Sequence, residues 1–348
     1  MPSIRESEPV PQLVTAHTRV PQPRFPVIDM HNHLGHTFGG GWIDRPLTQL
    51  LDQMDQAGVR ILVDLDGGWG ESILQQHLDA FKYHSPERFF HFGGVDWDRW
   101  PEMGSRFPGW AADRIRQQAA WGAQGLKIWK NLGLHVRDEQ GTLVPVDDPR
   151  LDPIWQQAAE LNIPVTIHCA DPVAFFQPLD NTNERLEELA RHPDWHFPHP
   201  PFPIFDTLIH QFERLVLRHP NTTFIGAHVA GYAENLGWVA DLLDRAPNLY
   251  IDISARTAEL GRQPYTTRKF FLDYAKRILF GLDNPVNPDD YALVYRFLES
   301  TDEYFPYSLE PIPPQGHWYI YGLYLPEPVL EKVYRSNALA MCTGEKVN

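Results

Sequence analysis

Short apolar runs rich in β-branched and aromatic residues recur along this chain, separated by longer amphipathic stretches. The runs fall at 27–34 (VIDMHNHL), 60–66 (RILVDLD), 89–97 (FFHFGGVDW), 124–129 (QGLKIW), 164–170 (PVTIHCA), 222–230 (TTFIGAHVA), 249–255 (LYIDISA) and 278–284 (ILFGLDN). The stretches 46–57, 71–83, 111–121, 151–161, 204–218, 234–245, 266–276 and 289–299 repeat apolar residues at helical spacing. Strands that alternate with helices need crossover connections, and therefore pair in parallel. Eight such units predict an α/β fold of the (β/α)8 TIM-barrel type. An open doubly wound sheet would carry a Gly-rich phosphate turn after its first strand. His31-Asn32-His33 stands there instead.

Three segments lie outside that rhythm. Residues 1–26 carry scattered Pro without periodicity and read as an extended arm on a single barrel domain spanning 27–348. Insertions at 171–203 and 301–325 are rich in aromatics and Pro, a composition expected of ordered lids over a site. A closing helix is predicted at 327–340.

Composition narrows the function classes. A chain of 348 residues can bury about three quarters of its unfolded surface, so no disulfide scaffold is needed. Only Cys169 and Cys342 are present, which suits a reducing, cytoplasmic setting. The start MPSIRESEPVPQLV lacks a basic region and an apolar core of about 7–15 residues. No apolar stretch reaches the ~20 residues of a membrane span. A net charge of −15 without a basic block argues against nucleic acid as a partner. The 11 Trp and other aromatics raise a homodimer as the candidate assembly, with no residue marking its interface.

The chemistry gathers at strand ends. Residues two apart on a strand share a face, so His31 and His33 project together from the first strand. His168 ends the fifth strand, His228 the sixth and Asp283 the eighth. The carboxyl ends of barrel strands are where such folds carry their sites. Imidazole and carboxylate donors converging there suit a divalent first-row metal. Cys169 alternates away from that face, and Asp29 is expected to support the histidines from behind. His192, His196 and His199 sit in a Pro-rich loop and form no such set.

The motifs DMHNH, IHCAD, IGAHVAG and ILFGLDNP, in this order, resemble the metal-dependent amidohydrolase superfamily. The branch they are most similar to is the amidohydrolase-related group, which also contains metal-dependent decarboxylases. The resemblance spans roughly residues 27–342, ending in VYRSNALAMC. It implies His31, His33, His168 and Asp283 as metal ligands, with His228 and Asp283 as the catalytic acid–base pair, or His228 as a second-metal ligand if the site is binuclear. Zinc is the implied ion, and manganese, iron or cobalt fit the same donors.

Lys127, at the end of the fourth strand, has three readings. It could be carbamylated and bridge two ions, meet a substrate carboxylate, or pair with Asp66 or Asp96. One ion is the expectation, and two follow if Lys127 is modified. Arg256 is a candidate clamp for an anionic small-molecule substrate or an ion-pair member in the loop layer. Trp129, with Trp69 and Lys130, either lines the pocket or packs the loops.

A metal lowers the pKa of bound water towards about 7, so the leading expectation is hydrolysis of a C–N or C–O bond in an amide, lactone or ester. The alternative is non-oxidative decarboxylation, or hydration, of a small carboxylic acid. A non-catalytic binding barrel is the third reading, and it predicts missing ligands where none is missing.

Overall fold

The structure is a computed structural model that describes residues 11–343; residues 1–10 of the expected arm lie outside the described residues. Eight parallel strands pair in sequence order: β1 (Val27–Asn32), β2 (Val59–Asp64), β3 (Phe89–Gly93), β4 (Gly125–Ile128), β5 (Val165–Ile167), β6 (Phe224–Gly226), β7 (Leu249–Asp252) and β8 (Ile278–Leu279). The ring closes from β8 to β1 through two backbone bonds. Met30 N–H donates to Phe280 O and Asp283 N–H to His31 O, both at 2.9 Å. Helices fill every crossover, among them Leu47–Ala57, Phe107–Trp121 and Phe205–Arg218, and Pro288–Glu299 follows the last strand. The fold is a nearly closed (β/α)8 barrel.

Alternation along the strands separates two cores. Leu62, Phe89, Leu126, Val165, Phe224 and Leu249 face outward and pack against the helices. Ile28, Met30, Ile61, Val63, Phe90, Phe92, Ile225 and Leu279 face inward as one apolar cluster, joined by Ala338 of the closing helix. The histidines of β1 would point outward if that alternation ran on unbroken. They do not, because β1 carries one extra residue. Asp29 pairs with Leu62 and Asn32 with Asp64, so three steps on β1 match two on β2. Such a bulge re-aims the side chains beyond it. Met30 and His31 therefore both face inward, and His33 follows.

Several strands end earlier than their apolar runs suggest. The run to 97 ends as strand at Gly93, and the run to 230 ends at Gly226. His228, Val229 and Ala230 adopt left-handed backbone with φ of 56°, 59° and 56°, which is costly for non-glycine residues and most of all for a β-branched one. Their apolar character reflects burial beneath the loops, not extended structure.

The two insertions are fastened to each other and to the barrel. Arg185, fully buried, pairs with Glu188 and with Glu259 of the segment after β7. Arg191 donates to Pro314 O at 2.8 Å, and His317 meets Glu187 at 2.9 Å. A short ribbon, Phe305–Pro306 against Tyr319–Ile320, stiffens the second insertion. The described part of the arm is tied to the start of the second insertion, where Thr18 Oγ1 bonds Asp302 at 2.7 Å. Among the described residues, no helix is long and apolar enough to cross a membrane.

Candidate metal centre

The strand ends bring three of the expected histidines to the carboxylate of the fourth residue, Asp283. Asp283 Oδ1 lies 3.3 Å from His33 Nε2 and 3.9 Å from His31 Nε2. Its Oδ2 lies 3.8 Å from His228 Nε2. Asp283 reaches this position with a left-handed φ of 60°, held by its N–H bond to His31 O. His31, His228 and Asp283 each offer a ligand atom within 4.8 Å of the others.

His168 stands at the far side of this group. Its ring centroid is 4.4 Å from that of His228, while its Nε2 is turned to Asp171 Oδ1 at 3.0 Å. Its Nδ1 has no hydrogen-bond partner among the described residues and is the nitrogen free to ligate.

Each histidine expected to ligate is tied by one nitrogen to a carboxylate. His31 Nδ1 meets Asp252 Oδ2 at 2.9 Å, and His33 Nδ1 meets Asp66 Oδ1 at 2.7 Å. With His168 on Asp171, this makes three imidazoles with three acids behind them. A carboxylate fixes the proton on the nitrogen it faces, which leaves the opposite nitrogen as a lone pair. Nε2 of His31 and of His33 is the opposite nitrogen, and both face Asp283. The donor set fits a divalent first-row ion.

Asp29 supports the site differently from expectation. Its carboxylate bonds the backbone N–H of His31 at 3.1 Å and of Leu282 at 3.2 Å, with Asn32 Nδ2 at 2.8 Å and Tyr291 Oη at 2.5 Å. It braces the seam between β1 and β8, not an imidazole ring. Burial lifts its pKa to about 6 against those bonds.

Burial and charge set the ionisation. Asp283 would be raised by burial, but the imidazoles of His31, His33 and His228 hold it well below the carboxylate range. Burial lowers His228 far below its usual value, helped by His168 and Arg256. It brings His168 to about 4. Burial lowers His33, but Asp283 and Asp66 on its two sides outweigh this and raise it to about 9, so without an ion its Nε2 also holds a proton, which a bound metal would displace.

Lys127 and Arg256 are buried cations, 1% and 6% exposed. Lys127 Nζ sits 3.1 Å from His31 Nε2 and 4.6 Å over the Trp129 ring. It makes no ion pair with Asp66 or Asp96 among the described residues. Burial pushes its pKa down to about 8, with Asp283, Asp252 and Asp66 opposing. Arg256 Nη1 donates to Ala255 O at 2.8 Å, and Arg256 likewise forms no ion pair among the described residues. Its charge acts on His228 on one side and on Glu188 and Glu234 on the other.

An aromatic wall adjoins the group. Trp129 stacks on His33 with centroids 5.3 Å apart, and Trp69 stacks on Trp129 at 4.0 Å. Gly68 makes this possible, since a Cβ there would lie 2.6 Å from Trp129 Nε1. Lys130 pairs instead with Asp171. Cys169 turns to the helix layer, its Sγ 3.3 Å from Leu208 O. Among the described residues, no candidate metal group includes His192, His196 or His199.

The residues that sequence reasoning missed are the supporting acids Asp252 and Asp171, and the bond of Asp66 to His33. A signal was present for two of them: Asp66 ends an apolar run and Asp171 directly follows one, whereas Asp252 stands inside the run 249–255.

Solved structures share the architecture. A 2,6-dihydroxybenzoate decarboxylase from Rhizobium matches 92% of this chain and 99% of its own at 16% identity, with a TM-score of 0.56. A dihydroxybenzoic acid decarboxylase from Polaromonas sp. JS666, with bound manganese and the inhibitor 2-nitroresorcinol, matches 86% of each chain at 17% identity and TM-score 0.52. A 5-carboxyvanillate decarboxylase from Sphingomonas paucimobilis matches 85% of this chain and 82% of its own at 15% identity and TM-score 0.51. At these identities the likeness speaks for the fold alone. No curated protein matches the sequence. The amidohydrolase family model, by contrast, matches residues 28–341, and the chain belongs to the amidohydrolase family.

Proposed function

We propose that this chain is a metal-dependent, non-oxidative decarboxylase of a small, flat carboxylic acid. His31, His33, His168 and Asp283 would hold one divalent ion, zinc or manganese. The observation that carries this reading is the pair of buried cations beside the ligand group, Lys127 and Arg256, neither joined to a carboxylate of the protein. Burying an unpaired charge is costly, and a substrate carboxylate is the counter-charge that would complete them. The decarboxylases with the same fold support the reading, as does the manganese in one of them.

The ion would act as a Lewis acid on the substrate's oxygens. The chain supplies the rest. Lys127 and Arg256 bind the carboxylate, and the Trp129–Trp69 wall offers a stacking face for a ring. The bond between the substrate carbon and its carboxyl carbon breaks, its electron pair stays on the substrate carbon, and CO₂ leaves. That carbon needs a proton. Asp283 is ionised in the resting site, so it first takes a proton from a substrate hydroxyl or from water and then returns it to carbon. His228, neutral and 3.8 Å away, is its partner in that exchange.

Hydrolysis uses the same ligands and is separated by assay. Purified, metal-loaded protein is incubated with hydroxybenzoic acids and with aryl amides and lactones. Release of CO₂ from an acid, with the proton appearing on the vacated carbon, supports the proposal. Cleavage of an amide or lactone with no CO₂ from any acid overturns it.

A further inference from the structure

A second group of ionisable side chains lies on the outer face of β2 and β3. Asp64, His77 and His91 are 0%, 2% and 0% exposed, with ligand-capable atoms within 4.8 Å of one another. Both imidazoles reach one oxygen: His77 Nδ1 and His91 Nδ1 lie 2.7 and 2.9 Å from Asp64 Oδ2. The far nitrogen of His91 argues against a metal there. A ligating imidazole donates its other ring N–H to a partner, and His91 Nε2 is buried with none. With Nδ1 donating to Asp64, Nε2 carries only a lone pair, the less costly group to leave bare. The cluster is a hydrogen-bonded anchor for one carboxylate.

That carboxylate leads back to the site. Asp64 Oδ1 accepts the Asp66 N–H at 3.2 Å. Asp66 Oδ1 faces His33 Nδ1, and its Oδ2 accepts from Leu34 N–H at 3.0 Å and Gly35 N–H at 2.6 Å. The packing leaves no slack, since a Cβ on Gly35 would lie 2.8 Å from Asp66 Oδ2 and 3.5 Å from His77 Cε1. We infer that Asp64, held by His77 and His91, positions Asp66 and through it the His33 ring, so that metal affinity at the barrel mouth is set partly behind the sheet. This rests on the metal reading proposed above. All three are positioning residues, since none lies in the ligand group at the mouth.

The test compares wild type, His77→Leu and His77→Asn by chelator competition for cobalt and by the visible spectrum of the cobalt-loaded protein. Asn places an amide N–H near the Nδ1 position and keeps the bond to Asp64. His77→Leu is expected to weaken cobalt binding about tenfold and shift the absorption bands, and His77→Asn to restore both to within about threefold of wild type. Thr222→Val, which loses a buried bond to Trp155 O away from the site, controls for lost stability and leaves both readouts unchanged. The inference is overturned if His77→Leu lowers the melting temperature alone, if Asn behaves like Leu, or if a second metal equivalent is lost in His91→Phe. Wild type that binds no cobalt would instead fail the metal reading before any variant is compared.

Discussion

At the amino ends of its strands the barrel interior holds Ile28, Ile61, Phe90, Ile225 and Leu279; at the carboxyl ends of the same sheet it holds His31, Lys127, His168, His228 and Asp283. The lower layer is buried throughout, the upper one is buried except for the part-exposed His168 and Asp283, and the two are opposite in chemistry. The lower one gains from removing apolar surface from water and needs no partners. The upper one buries charge, which is tolerable only where partners are supplied. Three of its imidazoles have an acid behind them, and Asp283 has imidazoles around it. Lys127 and Arg256 lack such a carboxylate. The contrast shows that burial by itself does not mark a site; buried cations left without a counter-charge beside a ligand group do.

The comparison breaks most sharply at Asp283. Asp283→Asn keeps the shape but loses the charge and the proton carrier, and turnover should fall by about 10³-fold, or about 4 kcal/mol. Circular dichroism should show the fold intact. A loss of less than about tenfold would remove Asp283 from the chemistry.

The lower layer should respond in the opposite sense. Ile225→Ala removes a fully buried side chain from the apolar cluster and should cost about 2–5 kcal/mol in denaturant unfolding. Metal stoichiometry should stay unchanged, so a coupled loss of metal would mean that the layers are not independent.

Supporting acids should show smaller effects on one layer only. Asp252→Asn leaves His31 in place but weakens the acceptor on its Nδ1. Metal affinity should drop about 10–100-fold by chelator competition, and an unchanged affinity would reduce Asp252 to backbone support of His228 and Ser254.

The smallest effect is a pH dependence. Lys127 carries its proton below about 8 and loses it above, because burial disfavours the ammonium. KM for an acid substrate should therefore rise by up to about tenfold for each pH unit above 8. Lys127→Met should have a higher KM that no longer changes over that range.

Much of this was readable in the chain. The short apolar runs and the helical spacing between them marked eight strands and their crossovers, and HxH, His168, His228 and Asp283 fell at or just past strand ends. What stayed hidden was geometry that composition does not encode. The extra residue of β1 leaves no trace in VIDMHNHL, yet it decides which way His31 faces. AHVA reads as strand continuation, although His228 to Ala230 are left-handed. Asp252 and Asp171 looked like ordinary acids because their role depends on meeting His31 across strands, or His168 across a turn.

The most direct test of the account is the metal content of protein purified without chelators, measured by elemental analysis beside a His31→Ala variant. About one equivalent of zinc or manganese per chain, lost in the variant, is the predicted result. No metal in the wild type, even after reconstitution, would contradict the claim that the upper layer is a metal centre.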